Sequence, residues 1–325
     1  MRVVIAAIVA AVTCLSALLP WRPAAALDYP NRTVRVIIPF TAGGAPDVLL
    51  RLVAQALQEK WGQSVVVENR AGGNTLVGTV AAAKSAPDGA TLLLAADQTF
   101  VLNPLLYASL PYSMKEFDSV AMMASIPHML AVSNKVPVSN VKELIALAKA
   151  KPDTLTFSTT GAGTIQRIAT EFFAGIAGIK LVHVPYKGAN ETTMALLQGE
   201  IDMTINGMSN ILPHIEGGKL KALAVSTAER NPLVPNIPTM QEAGVPGYDS
   251  SVWWAIVAPR GTPPEIIERL NREINAGLAD PKLKAQLAHL GGMVLSGSPA
   301  DFRTLIGEEI EKWAKVIKFA GIKAE

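Results

Sequence analysis

Twice in this chain a short apolar strand runs into a glycine turn and then a helix, and this repeat limits the folds open to it. Val34–Ile38 is β-branched and apolar, so it reads as a buried strand. Gly43 and Gly44 break it. Pro46 suits the first helical turn, where its missing N–H costs nothing, and Asp47 falls at the favourable end of the helix dipole. Val48, Leu49, Leu52, Val53, Ala56 and Leu57 then recur at helical spacing up to Trp61, so one face is buried. The second copy is a strand at 154–158, the turn Thr159-Thr160-Gly161-Ala162-Gly163-Thr164 and a helix at 165–175, with Thr164 placed as N-cap. Such a turn gathers backbone N–H groups on an anion. Glycine also punctuates ordinary turns, so one copy is a weak signal. Two copies on either side of a long strand, 119–133, point to a ligand held between two lobes.

The rest of the chain fits this frame. A second strand at 64–67, a turn at 68–74, a small-residue helix at 75–84 and a third buried strand at 91–95 continue the alternation. That alternation predicts a mostly parallel sheet with helices on both faces. Asp97–Thr99 then sits at a strand's carboxyl end, where ligands gather in open α/β sheets. Asn103–Tyr107 reads as proline-broken packing. With 325 residues, half of them hydrophobic, two domains is the natural expectation. The tail is helical, with Phe302, Leu305, Ile306, Ile310, Trp313 and Ile317 forming one buried stripe.

Residues 1–26 read as a signal peptide: Arg2, an apolar core from Val3 to Leu19, and Ala24-Ala25-Ala26 as the cleavage site. The only cysteine, Cys14, lies inside it, so the mature chain has no thiol for disulfides, metal or nucleophilic chemistry. Removing Arg2 and Arg22 brings the 29 basic residues to 27, against 27 acidic ones. A neutral body argues against nucleic acid. Gly161-Ala162-Gly163 lacks the third glycine of a dinucleotide fingerprint, and no Gly-Lys-Ser/Thr follows. The motifs of serine hydrolases and zinc peptidases are missing, and His128, His183, His214 and His289 have no metal-ligand spacing. Each histidine reads as packing or surface, no cofactor is implied, and the chain reads as a binding protein and not an enzyme.

Val182-His-Val-Pro-Tyr-Lys-Gly188, Leu212-Pro-His-Ile215, Gly218–Val225, Pro238-Thr239, Glu242-Ala-Gly244, Pro246-Gly-Tyr248, Ala258–Pro263 and Val316–Lys323 follow one another in order. In these the chain resembles the Bug family, periplasmic solute-binding proteins of tripartite tricarboxylate transporters, from about Tyr29 to the C-terminus. The resemblance implies an α/β, two-lobed Venus-flytrap fold of the type II-like periplasmic-binding-protein kind, with two crossing strands. Its first lobe is 28–124 plus 250–325 and its second 125–249, with hinges near Ala124–Pro127 and Asp249–Ser251. It also implies a monomer in the periplasm that carries a small carboxylate to membrane permease subunits. A sensory subunit feeding a two-component system would use the same fold.

The family's cleft loops match Phe40, Thr41, Gly43, Gly44, Ala45 and Asp47, and Ser158, Thr159, Gly161, Ala162, Gly163 and Thr164. Thr99, Tyr186 and Asn206 complete the expected site, with at most one ring of Trp253-Trp254 facing the ligand, since alternation sends them to opposite faces. Where the family often has a proline pair and a hydroxyl residue, this chain has Thr41-Ala42 and Pro46. Pro46 removes a hydroxyl and a backbone N–H, which predicts a simple mono- or dicarboxylate, aromatic or aliphatic, in preference to citrate.

Overall fold

The computed structural model describes residues 28–161, 163–186 and 188–322, so the proposed signal peptide and the positions Ala162 and Lys187 lie outside the described residues. Its strands are β1 (Val34–Ile38), β2 (Val65–Asn69), β3 (Thr91–Ala96), β4 (Phe117–Ser133), β5 (Thr156–Thr159), β6 (Val182–Pro185), β7 (Met203–Gly207), β8 (Leu220–Val225), β9 (Ser251–Pro259) and β10 (Met293–Val294). Its α-helices are α1 (Ala45–Trp61), α2 (Leu76–Ala83), α3 (Asn103–Leu106), α4 (Val141–Ala150), α5 (Ile165–Ala177), α6 (Ala189–Gln198), α7 (Met208–Glu216), α8 (Pro264–Leu278), α9 (Pro281–His289) and α10 (Pro299–Ala320). A π-helical turn, Gln98–Leu102, leads into α3.

The strands form one path, β2-β1-β3-β9-β4-β7-β5-β6, with β8 and β10 added on β4. β4 is the common member. Residues 117–127 pair antiparallel with β9, and 128–133 pair antiparallel with β7 and β8. The chain therefore makes two half-sheets from one 17-residue strand. It returns to the first half where Ser251, the first residue of β9, stands opposite Pro127. The parallel pairs β1–β2, β1–β3, β5–β6 and β5–β7 put their carboxyl ends, and hence their loops, on the same side as this junction.

Burial follows from the apolar runs. β3 is buried along its whole length, as expected of a strand covered on both faces. α1 and α8 cover one face of the first half, and α2, α3 and α10 cover the other. α4 and α5 cover the outer face of the second half. Trp253 and Trp254 split between faces: Trp253 packs edge-on against Phe302 at 5.4 Å, while Trp254 joins the opposite cluster. α10 is long enough, at 22 residues, to touch both halves: Phe302 lies under the first, and Trp313 meets Phe172 of α5 at 6.0 Å. Its end brings the Phe319 ring against Gly175 of α5, where a side chain would displace that ring.

Candidate functional site

A cleft of about 420 Å³ opens between the two half-sheets. Helices α1, α2, α5 and α7 begin on its wall. Their N-cap residues, Gly44, Thr75, Thr164 and Gly207, all line it, and at none of the four does a side chain cap the helix. The first N–H groups of a helix have no partner within it. Here those groups, with the positive ends of the helix dipoles, border one cavity. Thr164 shows how the cap is withheld, because its hydroxyl donates to the Gly161 carbonyl at 2.8 Å instead of accepting from the helix. Among the described residues that line the cleft there is no lysine or arginine. Ile126, Ile165, Val252, Trp254 and Phe40 provide its apolar wall.

The structure brings part of the sequence-derived set to this wall. Phe40, Thr41, Gly44, Ala45, Thr164 and Asn206 line the cleft. Asp47 does not: its buried carboxylate accepts from the Gly43 N–H (2.9 Å), Asn69 Nδ2 (2.9 Å) and Arg51, so it braces the first loop from behind. Burial opposes that charge, but the donors from Arg51, Gly43 and Asn69 outweigh it and hold the carboxyl below its ordinary range. Gly43 takes part through that bond, with a left-handed φ of 86° that a side chain would resist. Thr99 is fully buried beneath the cleft and donates to Thr75 Oγ1 at 3.3 Å. Ser158 is buried, and its hydroxyl has no partner among the described residues. Thr159 pairs with His183 Nε2 at 2.6 Å and, with Gly161, shapes the second loop from inside. Gly163 faces the first half, not the cleft, and Tyr186 donates its N–H to the Thr159 carbonyl at 2.9 Å, away from the wall. Ala162 lies outside the described residues.

Other wall residues are ones the sequence reading passed over. Gly72, Asn74 and Thr75 line the cleft from the loop before α2. Asn74 and Thr75 have φ of 51° and 75°, a left-handed conformation that is costly for a β-branched residue. A buried network holds them there. Asn103 Nδ2 donates to the Asn74 carbonyl (2.7 Å) and Thr75 Oγ1 (3.3 Å), and Tyr112 donates to the Thr99 carbonyl (2.5 Å). Asn103, read as packing, is the hub of that network. Gly72-Gly73-Asn74 between a strand and a helix was the available signal.

Asp97, Gln98 and His128 also line the cleft. Burial drives the Asp97 carboxyl up to about 8, with the N–H of Gln98 and Lys312 opposing and Glu309 adding to the shift. Burial holds His128 down to about 4, so its ring is neutral near pH 7. The cleft thus offers backbone donors, amides, hydroxyls and apolar surface, with both titratable side chains uncharged near neutrality. That equipment suits a small anion with an apolar body. Among the described residues no group of His, Cys, Asp or Glu could hold a metal ion, and no helix is long and apolar enough to cross a membrane.

Two half-sheets hinged on shared strand passages, with helix N-termini around the cleft between them, define a two-lobed protein of the periplasmic-binding-protein class. The chain matches the model of the tripartite tricarboxylate transporter family receptor over residues 49–322, and it belongs to that family. It is 37% identical over 303 residues to protein BugT of Bordetella pertussis, covering 93% of each chain. Among solved structures it is similar to Rpa4515 of R. palustris with adipate, at a TM-score of 0.85 and 36% identity, covering 91% of this chain and 99% of that one. It is also similar to MatC of Rhodopseudomonas palustris with bound malate, at a TM-score of 0.79 and 29% identity, covering 89% and 100%. The family is one of solute-binding proteins and not of enzymes.

Proposed function

We propose that this chain is exported, loses residues 1–26, and captures a small carboxylate in the cleft between a lobe formed by 28–124 and 250–325 and a lobe formed by 125–249. It then delivers that ligand, as a periplasmic monomer, to the permease subunits of a tripartite transporter. The observation that carries this reading is the set of four uncapped helix N-termini on one cleft wall that has no described lysine or arginine. Each end carries about half a positive charge, enough to hold a carboxylate without an arginine clamp. Relatives with malate and adipate support a carboxylate as the ligand class.

The wall favours a simple ligand. Pro46 removes one donor at the start of α1, and the apolar rings of Phe40 and Trp254 face the cavity. Every ligand hydroxyl left unpaired costs roughly 1–3 kcal/mol. The reading therefore prefers a mono- or dicarboxylate with an apolar body over citrate. Titrations with citrate, a linear dicarboxylate and an aromatic acid, following the rise in melting temperature on binding, test it. The expected result is tighter binding of the linear or aromatic acid. Citrate binding tenfold tighter than both would overturn the preference, and no shift with any carboxylate would overturn the class.

A further inference from the structure

Besides the packing of α10 on α5, a hydrogen bond beside the cleft joins the two lobes at a glycine. Gln98, which follows β3 in the first half, donates from Nε2 to the carbonyl of Gly163, in the loop between β5 and α5, at 3.2 Å. The same nitrogen donates to Asn103 Oδ1 at 2.7 Å. Asn103 is itself oriented by its donation to the Asn74 carbonyl, so its oxygen must face Gln98, and the nitrogen of Gln98 must face both acceptors. The Gln98 amide is buried, anchored in the first half, and reaches across to the second.

Gly163 fits this contact by having no side chain. A Cβ there would lie 3.2 Å from Leu106 Cδ1 and 3.6 Å from Asn74 Nδ2, both on the opposite half. Its φ lies outside the left-handed region, so the backbone does not require glycine. What favours it is the close approach of the two halves, since an added methyl would press on the end of Leu106. The next residues, Thr164 and Ile165, begin α5 on the cleft wall.

We infer that Gln98 and Gly163 form a clasp between the lobes, which holds the ligand-free cleft near its closed width and positions the N-terminus of α5 for the ligand. Gln98 is a positioning residue in this scheme, acting through the Gly163 peptide. One buried hydrogen bond shifts an open–closed equilibrium by roughly two- to tenfold, and apparent affinity falls by the lost closed fraction. The clasp does not depend on what the cleft binds, so it is tested without ligand.

Exposed sites on opposite lobes, Val48→Cys on α1 and Met194→Cys on α6, can carry spin labels once Cys14 is replaced by serine in the full chain. Pulsed electron resonance then reads the interlobe distance. The ligand-free parent should show one short, narrow distribution. Gln98→Ala and Gly163→Ala should each add a longer component. Leu106→Ala placed on Gly163→Ala should restore the short distance, because it clears the space the new methyl needs. A purely local role for Gly163 would give no such rescue. Parent-like distances in both single variants, or a Gly163→Ala/Leu106→Ala protein as open as Gly163→Ala alone, would overturn the clasp.

Discussion

His128 Nδ1 lies 2.7 Å from Ser250 Oγ, and these two residues stand where the chain passes from one half-sheet to the other and where it comes back. The His128 N–H also donates to Ser226 Oγ at 2.8 Å, so the outgoing and returning segments are tied side by side. The ring is buried, and its Nε2 has no partner among the described residues. A charged imidazole there would be unsolvated, which is why its pKa falls from 6.5 to about 4; the Ser250 backbone opposes this and Lys312 reinforces it.

A depressed histidine makes the fold sensitive to acid. Above pH 6.5 the ring is neutral in both states and its contribution is complete. As pH falls from 6.5 towards 4, the unfolded chain takes up a proton that the native ring refuses, and stability is lost. The full loss is on the order of 3 kcal/mol. His128→Asn keeps a polar group beside Ser250 and cannot titrate. Urea midpoints at pH 7, 6, 5 and 4.5 should show the parent losing ground to this variant as pH falls. A constant difference between the two across that range would refute the assignment.

Asp97 gives the opposite slope. Its folded pKa stands at about 8 against an ordinary 3.8, so between those values the native carboxyl keeps a proton that the unfolded chain has lost. Stability therefore falls as pH rises from 4 towards 8. Asp97→Asn keeps an acceptor for the neighbouring N–H and removes the titration. The variant should gain on the parent through this window by more than about 1.4 kcal/mol, the worth of one pKa unit, and the gain should level off above pH 8. Melting temperatures of both proteins over that range decide it, and a gap that does not widen would mean that Asp97 is ionised in the folded protein.

Much of the architecture was readable because each device had a local signature. The runs Val34–Ile38 and Thr91–Ala95 could hardly be anything but buried strands, and paired glycines marked the starts of α1 and α5. The cleft wall was harder to read, since a wall residue is chosen by which way its side chain turns. Asp47 in the first turn of α1 and Thr41 in the loop before it are close neighbours, yet Asn69 and Arg51 turn Asp47 inward while Thr41 stays on the wall. Asn69 is 22 positions away in sequence. His128 reads as one more polar residue in a long strand until Ser226 and Ser250 are brought beside it from 98 and 122 positions away. The helix start at Gly207 carried one glycine and no proline, too little to separate it from a simple turn.

The two neighbouring glycines of the first loop should respond differently to substitution. Gly43 is left-handed, so any side chain there strains the loop and should lower stability by about 1 kcal/mol, whatever the cleft contains. Gly44 has φ −76° and ψ 166°, an extended conformation open to any residue. A Cβ on Gly44 would meet only Pro46 Cδ at 3.7 Å and the Thr41 carbonyl at 4.0 Å, ordinary contact distances. The fold therefore accepts Gly44→Val, but the added methyl groups stand on the cleft wall where α1 begins. If backbone N–H groups at that helix start hold the ligand carboxylate, the valine blocks their approach. Calorimetry with the tightest carboxylate of the panel should show at least a roughly tenfold loss of affinity, about 1.4 kcal/mol, with the ligand-free melting temperature unchanged. Parent-like affinity in Gly44→Val would remove α1 from the binding site and leave the ligand to the starts of α2, α5 and α7.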